Sequence, residues 1–152
     1  MSIDRGPASS RRGASLAAKR PPKTLLVLVK QEEDIVRSRL AAGDVCRQLG
    51  FSELTCTKVM TAVSELARNI FKYAGDGQIA ITCLEGVRPG VEIMACDQGP
   101  GIKDVEAVLS DTYRSRTGMG AGLKGARRLM DSFLLESTPG RGTMVVVRKF
   151  KS

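Results

Sequence analysis

The sequence predicts an α/β fold, a two-layer sandwich with helices on one face of a mixed sheet, and three observations predict it. Gln78–Leu84 and Val91–Cys96 alternate in strand fashion, whereas two long segments before them repeat apolar residues at helical spacing. Turn residues divide the chain into the order strand, two helices, two strands, helices, two strands. The 152 residues suffice for one ordinary domain, and 42% hydrophobic with 26% charged residues is the balance of a globular protein. With no Trp, four Phe and two Tyr, the core has to be aliphatic.

Residues 1–23 read as a disordered basic leader: Gly6-Pro7, Ser9-Ser10 and Pro21-Pro22 interrupt it, and it has no apolar periodicity. The folded domain is expected over residues 24–152. Thr24–Val29 is its first strand. Glu32–Leu49 is a helix, with Ile35, Ala42, Cys46 and Leu49 on one stripe and Gly50 at its end. Ser52 can cap a second helix, which Gly75 terminates. Its apolar stripe is Val59, Ala62, Val63, Leu66 and Ile70; at about 100° per residue, Glu65, Asn69 and Lys72 share the flank beside it. Polar groups at the edge of a buried face are placed to line a pocket. The turn Gly86–Gly90 joins the two alternating strands. Asp104–Leu109 is a short helix, residues 110–121 are irregular, and Gly122–Asp131 is a helix. Phe133–Glu136 and Thr143–Phe150 are strands around the Pro139-Gly140 turn.

Charge and cysteine usage narrow the function classes. Of the net charge of +8, five units fall in residues 1–23, so the basic balance belongs mostly to the leader. No aromatic residues interleave with the basic ones as a nucleic-acid stacking platform requires, so no nucleic-acid partner is expected. The longest apolar run, Leu25–Val29, lies far below a membrane span, and the leader lacks the apolar middle of a secretory signal; no membrane association and a cytoplasmic location are expected. Cys46, Cys56, Cys83 and Cys96 form no C-x-x-C pair and the chain has no His, which leaves reduced, buried thiols as the reading.

Four clusters carry polar chemistry. In Glu65-Leu66-Ala67-Arg68-Asn69, Glu65 and Asn69 stand four apart on one helix face. A carboxylate there can accept a proton from an attacking hydroxyl, and an Asn oxygen can complete the coordination of Mg²⁺ beside phosphates. In Asp97-Gln98-Gly99-Pro100-Gly101, an Asp at a strand end can accept from an exocyclic amine, while the glycines let backbone approach a flat ring. Gly118-Met119-Gly120-Ala121-Gly122 feeds a helix start that presents N–H groups to phosphate. Pro139-Gly140-Arg141-Gly142-Thr143 reads as a hairpin turn with a hydroxyl at its end. Neither a Walker loop nor the H-R-D and D-F-G set is present, and Gly118–Gly122 lacks the Rossmann spacing.

In this order the four clusters resemble the N, G1, G2 and G3 boxes of the GHKL, or Bergerat-fold, ATPase and kinase superfamily, over roughly residues 24–150. Within it, Ser64–Ile70 and Arg127–Asp131 resemble the RsbT-like switch kinases of the stressosome, with the RsbW and SpoIIAB anti-sigma factors as more distant likenesses. The resemblance implies a mainly antiparallel sheet, ATP and Mg²⁺ as cofactors, and Ser/Thr protein kinase activity. It implies Glu65 as general base and Asn69 as Mg²⁺ ligand. Asp97, Gly99 and Gly101 would form the adenine pocket with Thr143. Residues 110–122 would be an ATP lid, with Gly118, Gly120 and Gly122 near the phosphates, and Lys72 would contact phosphate. The implied partners are STAS-domain scaffold or antagonist proteins as substrates and a PP2C-type phosphatase activated by binding, with at most a weak dimer. The leader is longer than the family pattern, and Ala121 stands where a larger apolar lid residue is common. An anti-sigma factor with kinase activity on an anti-anti-sigma STAS protein shares all four boxes and stays open as the alternative. A sensor histidine kinase is opposed by the lack of any His and of room for a dimerisation helix pair. A purely ATP-sensing module has no need of a base such as Glu65.

Overall fold

The computed structural model describes residues 23–110 and 119–152. Of the expected leader, residues 1–22 lie outside the described residues, as do Gly118 and the greater part of the expected lid, residues 111–118.

Five strands form one sheet: β1 (Thr24–Val29), β2 (Gly77–Leu84), β3 (Gly90–Asp97), β4 (Ser132–Thr138) and β5 (Gly142–Phe150). Their spatial order is β1-β2-β3-β5-β4, and every pairing is antiparallel. The α/β sandwich is the predicted one, and the sheet is wholly antiparallel among the described residues because β5 returns along β3 before pairing with β4. That insertion sets Thr143 of β5 opposite Asp97 at the end of β3, two residues separated by the length of the helical crossover.

Helices α1 (Glu33–Gln48) and α2 (Glu53–Asn69) follow β1, and α3 (Val105–Leu109) and α4 (Met119–Leu129) connect β3 to β4. Ser52 caps α2 as expected, its hydroxyl accepting the Thr55 N–H at 3.1 Å. Helix α2 packs against both α1 and α4. At the α1 contact, a Cβ on Gly43 would stand 2.7 Å from the Met60 sulfur, so glycine sets how closely the two helices approach.

The core lies between this helical layer and one face of the sheet. Period-two alternation buries Ile79 and Ile81 of β2, Val91 and Ile93 of β3, and Val145 and Val147 of β5. Helical periodicity buries Val59, Ala62, Val63 and Leu66 of α2 and Ala42 and Cys46 of α1 against them. Among the described residues Phe51 is the one aromatic side chain in the buried core, which is otherwise aliphatic with Cys46, Cys56 and Met130. Burial pushes the Cys46 thiol up to about 12, so at neutral pH it packs as a small apolar side chain.

Two local departures matter for the site. The end of α2 passes into a π-helical turn, Ile70–Ala74, closed by the Gly75 N–H donating to Ile70 C=O at 3.0 Å, with Gly75 at φ +88°. Helix α4 begins at Met119, three residues before the expected start, and ends at Leu129, two before the expected end. Its first turn therefore contains Gly120 and Gly122, which the glycine penalty on helices made read as loop. Later in α4, a Cβ on Gly125 would meet nothing within 4 Å. Gly125→Ala should accordingly stabilise the domain by about 0.5–1 kcal/mol, raising the thermal midpoint by roughly 2–4 °C in calorimetry.

Candidate functional site

A cleft opens between α2 and the ends of β3 and β5. Its walls are contributed by Leu66 and Asn69 of α2, Ile70 and Tyr73 of the π turn, Ala95 and Asp97 of β3, the segment Pro100–Ile102, Leu123 of α4, and Thr143 and Val145 of β5. Four of the residues singled out in the sequence, Asn69, Asp97, Gly101 and Thr143, thus meet in one cleft.

At the α2 end, Glu65 and Asn69 both face the first turn of α4. A Cβ on Gly122 would lie 2.8 Å from Glu65 Oε2 and 3.5 Å from Asn69 Oδ1, so a side chain there would displace the Glu65 carboxylate from its present position. The other Glu65 oxygen, Oε1, accepts from Arg68 Nη1 at 3.0 Å. Asn69 Nδ2 is buried and has no hydrogen-bond partner among the described residues. A buried amide donor left unpaired is costly; it calls for an acceptor, such as an oxygen of a bound ligand, while the amide oxygen is the atom that can meet a cation. Among the described residues no cluster of three or more His, Cys, Asp or Glu forms a metal cage. A hard cation at Asn69 would therefore be held by the amide oxygen, water and the oxygens of a bound ligand, the arrangement that Mg²⁺ favours beside phosphates. The residues present fit that ion.

At the sheet end, Asp97 Oδ1 accepts the Gly99 N–H at 2.9 Å. Burial pushes the Asp97 carboxyl above the usual carboxylate range, while the backbone amides of Gly99 and Thr143 pull it down. The glycines after Asp97 are required by close backbone approach. A Cβ on Gly99 would stand 2.7 Å from Ala74 Cβ, and one on Gly101, at φ +76°, would collide with Thr138 C=O. Gly101 lines the cleft, whereas Gly99 supports its wall from behind, against the π turn. The loop is further tied to the β4–β5 hairpin by the Gly140 N–H donating to Pro100 C=O at 2.7 Å.

The remaining expected residues lie apart from the cleft wall. Gly120 is buried in the first turn of α4. Lys72 is exposed on the π turn, its ammonium 5.5 Å from the centre of the Tyr73 ring. Lys124, buried, donates to Ser110 C=O at 3.0 Å, and Arg127 donates to Leu109 C=O at 3.1 Å. These two cations satisfy the carbonyl end of α3 and fasten α4 to it, as cations near a helix C-terminus do. Sequence reasoning misses the apolar walls, Ile102, Leu123 and Val145, because their spacing marks them only as core. It also misses Ser137, which bonds to the hydroxyl of Thr143 at 2.9 Å; its place directly opposite Thr143 across the hairpin was the available signal.

Comparison with known proteins bears on this cleft. The profile of the histidine kinase-like ATPase domain matches residues 28–149. The chain is 44% identical to the serine/threonine-protein kinase RsbT of Bacillus subtilis (strain 168), over 82% of this chain and 94% of that protein. It is 30% identical to an anti-sigma F factor of Thermoanaerobacter sp. (strain X514), over 79% of this chain and 86% of the relative. Among solved structures it resembles a chain in the SiaB–SiaC complex from Pseudomonas aeruginosa, with TM-score 0.54 at 12% identity over 99% of each chain. It also resembles the catalytic domain of the histidine kinase ThkA, with TM-score 0.50 at 14% identity over 87% of this chain and 97% of that one. At those identities the structural likenesses speak for the fold alone.

Proposed function

The chain belongs to the histidine kinase-like ATPase domain family and to its RsbT-like members, and from that premise we propose that it is an ATP-dependent serine/threonine protein kinase of a bacterial partner switch. Its substrates would be STAS-domain scaffold proteins, and its second partner a PP2C-type phosphatase that it activates when released. The observation that supports the reading best is the convergence of Asn69, Asp97 and Thr143 on one cleft, with Glu65 one helical turn before Asn69 and, like it, beside Gly122. The 44% identity to a serine/threonine kinase, against 30% to an anti-sigma factor, favours the switch kinase over the alternative.

In this reading Asp97 accepts a hydrogen bond from the exocyclic amine of adenine, Gly99 and Gly101 shape the wall beside it, and Thr143 lines the same end. Asn69 would hold Mg²⁺ through its amide oxygen, and the ion would supply charge neutralisation at the phosphates. Gly120 and Gly122 bring backbone close to those phosphates, and Lys72 contacts them from the π turn. Glu65 orients the acceptor hydroxyl and takes its proton as the hydroxyl oxygen bonds to the γ-phosphorus and the bond to ADP breaks.

Transfer of label from γ-labelled ATP, with Mg²⁺, to Ser or Thr of a STAS-domain protein encoded beside this chain tests the reading. Label on that protein is the expected result. Absence of label despite measurable ATP binding, together with capture of a sigma factor, would move the protein to the anti-sigma class.

The raised carboxyl of Asp97 gives the reading a pH signature. Adenine recognition needs the anion, and a group whose pKa is raised protonates at higher pH than an ordinary Asp near about 3.9. ATP affinity should therefore begin to fall on acidification above the usual carboxylate range. Asp97→Asn should bind weakly at every pH with a flat profile, measured by calorimetric titration across the acid range. A parent profile as flat as that of the variant would remove Asp97 from the role.

A further inference from the structure

We propose that Ser137 is a specificity-determining positioning residue, which fixes the Thr143 hydroxyl as a hydrogen-bond acceptor toward the cleft and so selects a purine with an amino group over one with a carbonyl at ring position six. The inference rests on the nucleotide reading above and names a residue that reading does not use.

Ser137 of β4 stands opposite Thr143 of β5 in the hairpin register. Three groups approach its hydroxyl oxygen: the Ile102 N–H at 2.7 Å, the Gly142 C=O at 3.0 Å and the Thr143 hydroxyl at 2.9 Å. A serine hydroxyl carries one proton and two lone pairs. The Ile102 N–H can only donate to it, and the Gly142 carbonyl can only accept from it. One arrangement makes all three contacts hydrogen bonds: Ser137 gives its proton to Gly142, and Thr143 gives its own proton to Ser137. The Thr143 proton is thereby committed to Ser137, and its oxygen keeps only lone pairs for a further partner; Thr143 is among the residues that line the cleft.

Asp97, opposite Thr143 in the strand register, also lines the cleft, and its carboxylate when ionised is likewise only an acceptor. Two acceptors side by side call for a donor. A 6-amino purine supplies one, whereas a 6-oxo purine turns a third acceptor toward them, a mismatch of the kind on which discrimination between close analogues depends. Ser137 is not part of the cleft wall and acts through Thr143. Its bond to the Ile102 N–H also fixes the segment from Gly99 to Ile102 relative to the hairpin.

The test is calorimetric binding of ATP and of inosine triphosphate, its 6-oxo counterpart, to the full chain and to S137A, T143V and the double variant. The parent should prefer ATP. In S137A, Thr143 is free to turn its proton into the cleft, and the ATP preference should fall by about tenfold, the worth of one such hydrogen bond. The double variant should match T143V, because Ser137 has nothing left to orient. An ATP preference in S137A equal to that of the parent overturns the proposal while leaving the nucleotide reading intact. Failure of the parent to bind either nucleotide overturns the reading itself. Where S137A does not fold, T143V and T143S carry the test: the preference must fall in the first and hold in the second, and an unchanged preference in T143V overturns the proposal.

Discussion

Asn69→Ala is expected to weaken Mg-ATP binding by at least about a hundredfold while leaving the ligand-free domain as stable as the parent or more so. The loss follows from removing the amide oxygen assigned to the ion, since interactions with charged groups contribute roughly 1.5–3 kcal/mol each and an ion ligand stands at or beyond the top of that range. The stability side follows from Nδ2, a buried donor without a partner among the described residues. Such a group costs about 1–3 kcal/mol in the empty protein, and alanine removes it. Function kept at the expense of stability is the pattern of a binding site awaiting its ligand. Titration calorimetry with and without Mg²⁺ gives the first quantity, and thermal unfolding without nucleotide gives the second. Tight Mg-ATP binding by the variant would sink the metal assignment; a large drop in the thermal midpoint would show that Asn69 is structural.

Glu65→Gln separates the chemistry from the binding. Glutamine keeps the shape of the side chain and an oxygen that can still accept from Arg68, so the turn of α2 and its distance from Gly122 should persist. What it loses is the ability to take a proton. Transfer to the acceptor hydroxyl should slow by about 10²–10⁴, the usual worth of a general base, with ATP affinity nearly unchanged. Full transfer by the variant would remove Glu65 from the role of base.

Much of this architecture is legible in the sequence, for identifiable reasons. Burial on one face of each strand and helix leaves a periodic signature, so Ile79, Ile81, Val59 and Leu66 declare themselves. Glu65 and Asn69 are four apart on one helix, and their shared face follows from helix geometry alone. Long-range placement leaves no such trace. That β5 enters between β3 and β4, bringing Thr143 beside Asp97, depends on pairings across the sheet that no local pattern encodes. The start of α4 is misjudged because three glycines in five residues argue for loop, whereas Gly122 lies inside the helix with its Cα close against the Glu65 carboxylate, a long-range contact that local propensity does not register. Ser137 is invisible for another reason: its role lies in the direction of a single proton, which is set only when Ile102, Gly142 and Thr143 are already around it.

The π turn at Ile70–Ala74 carries a consequence for how this chain can change. A turn closed between residues five apart holds one residue more than an α turn, so everything after it is rotated by about 100° relative to an uninterrupted helix. That rotation is what brings Tyr73 to the cleft and Ala74 against Gly99. Replacing a side chain here alters one contact, whereas deleting a residue would turn both contacts away together and pull the Asp97 loop off its support. Across descendants of this sequence, the length of the stretch should accordingly be held more strictly than its letters, with substitutions accumulating where gaps do not.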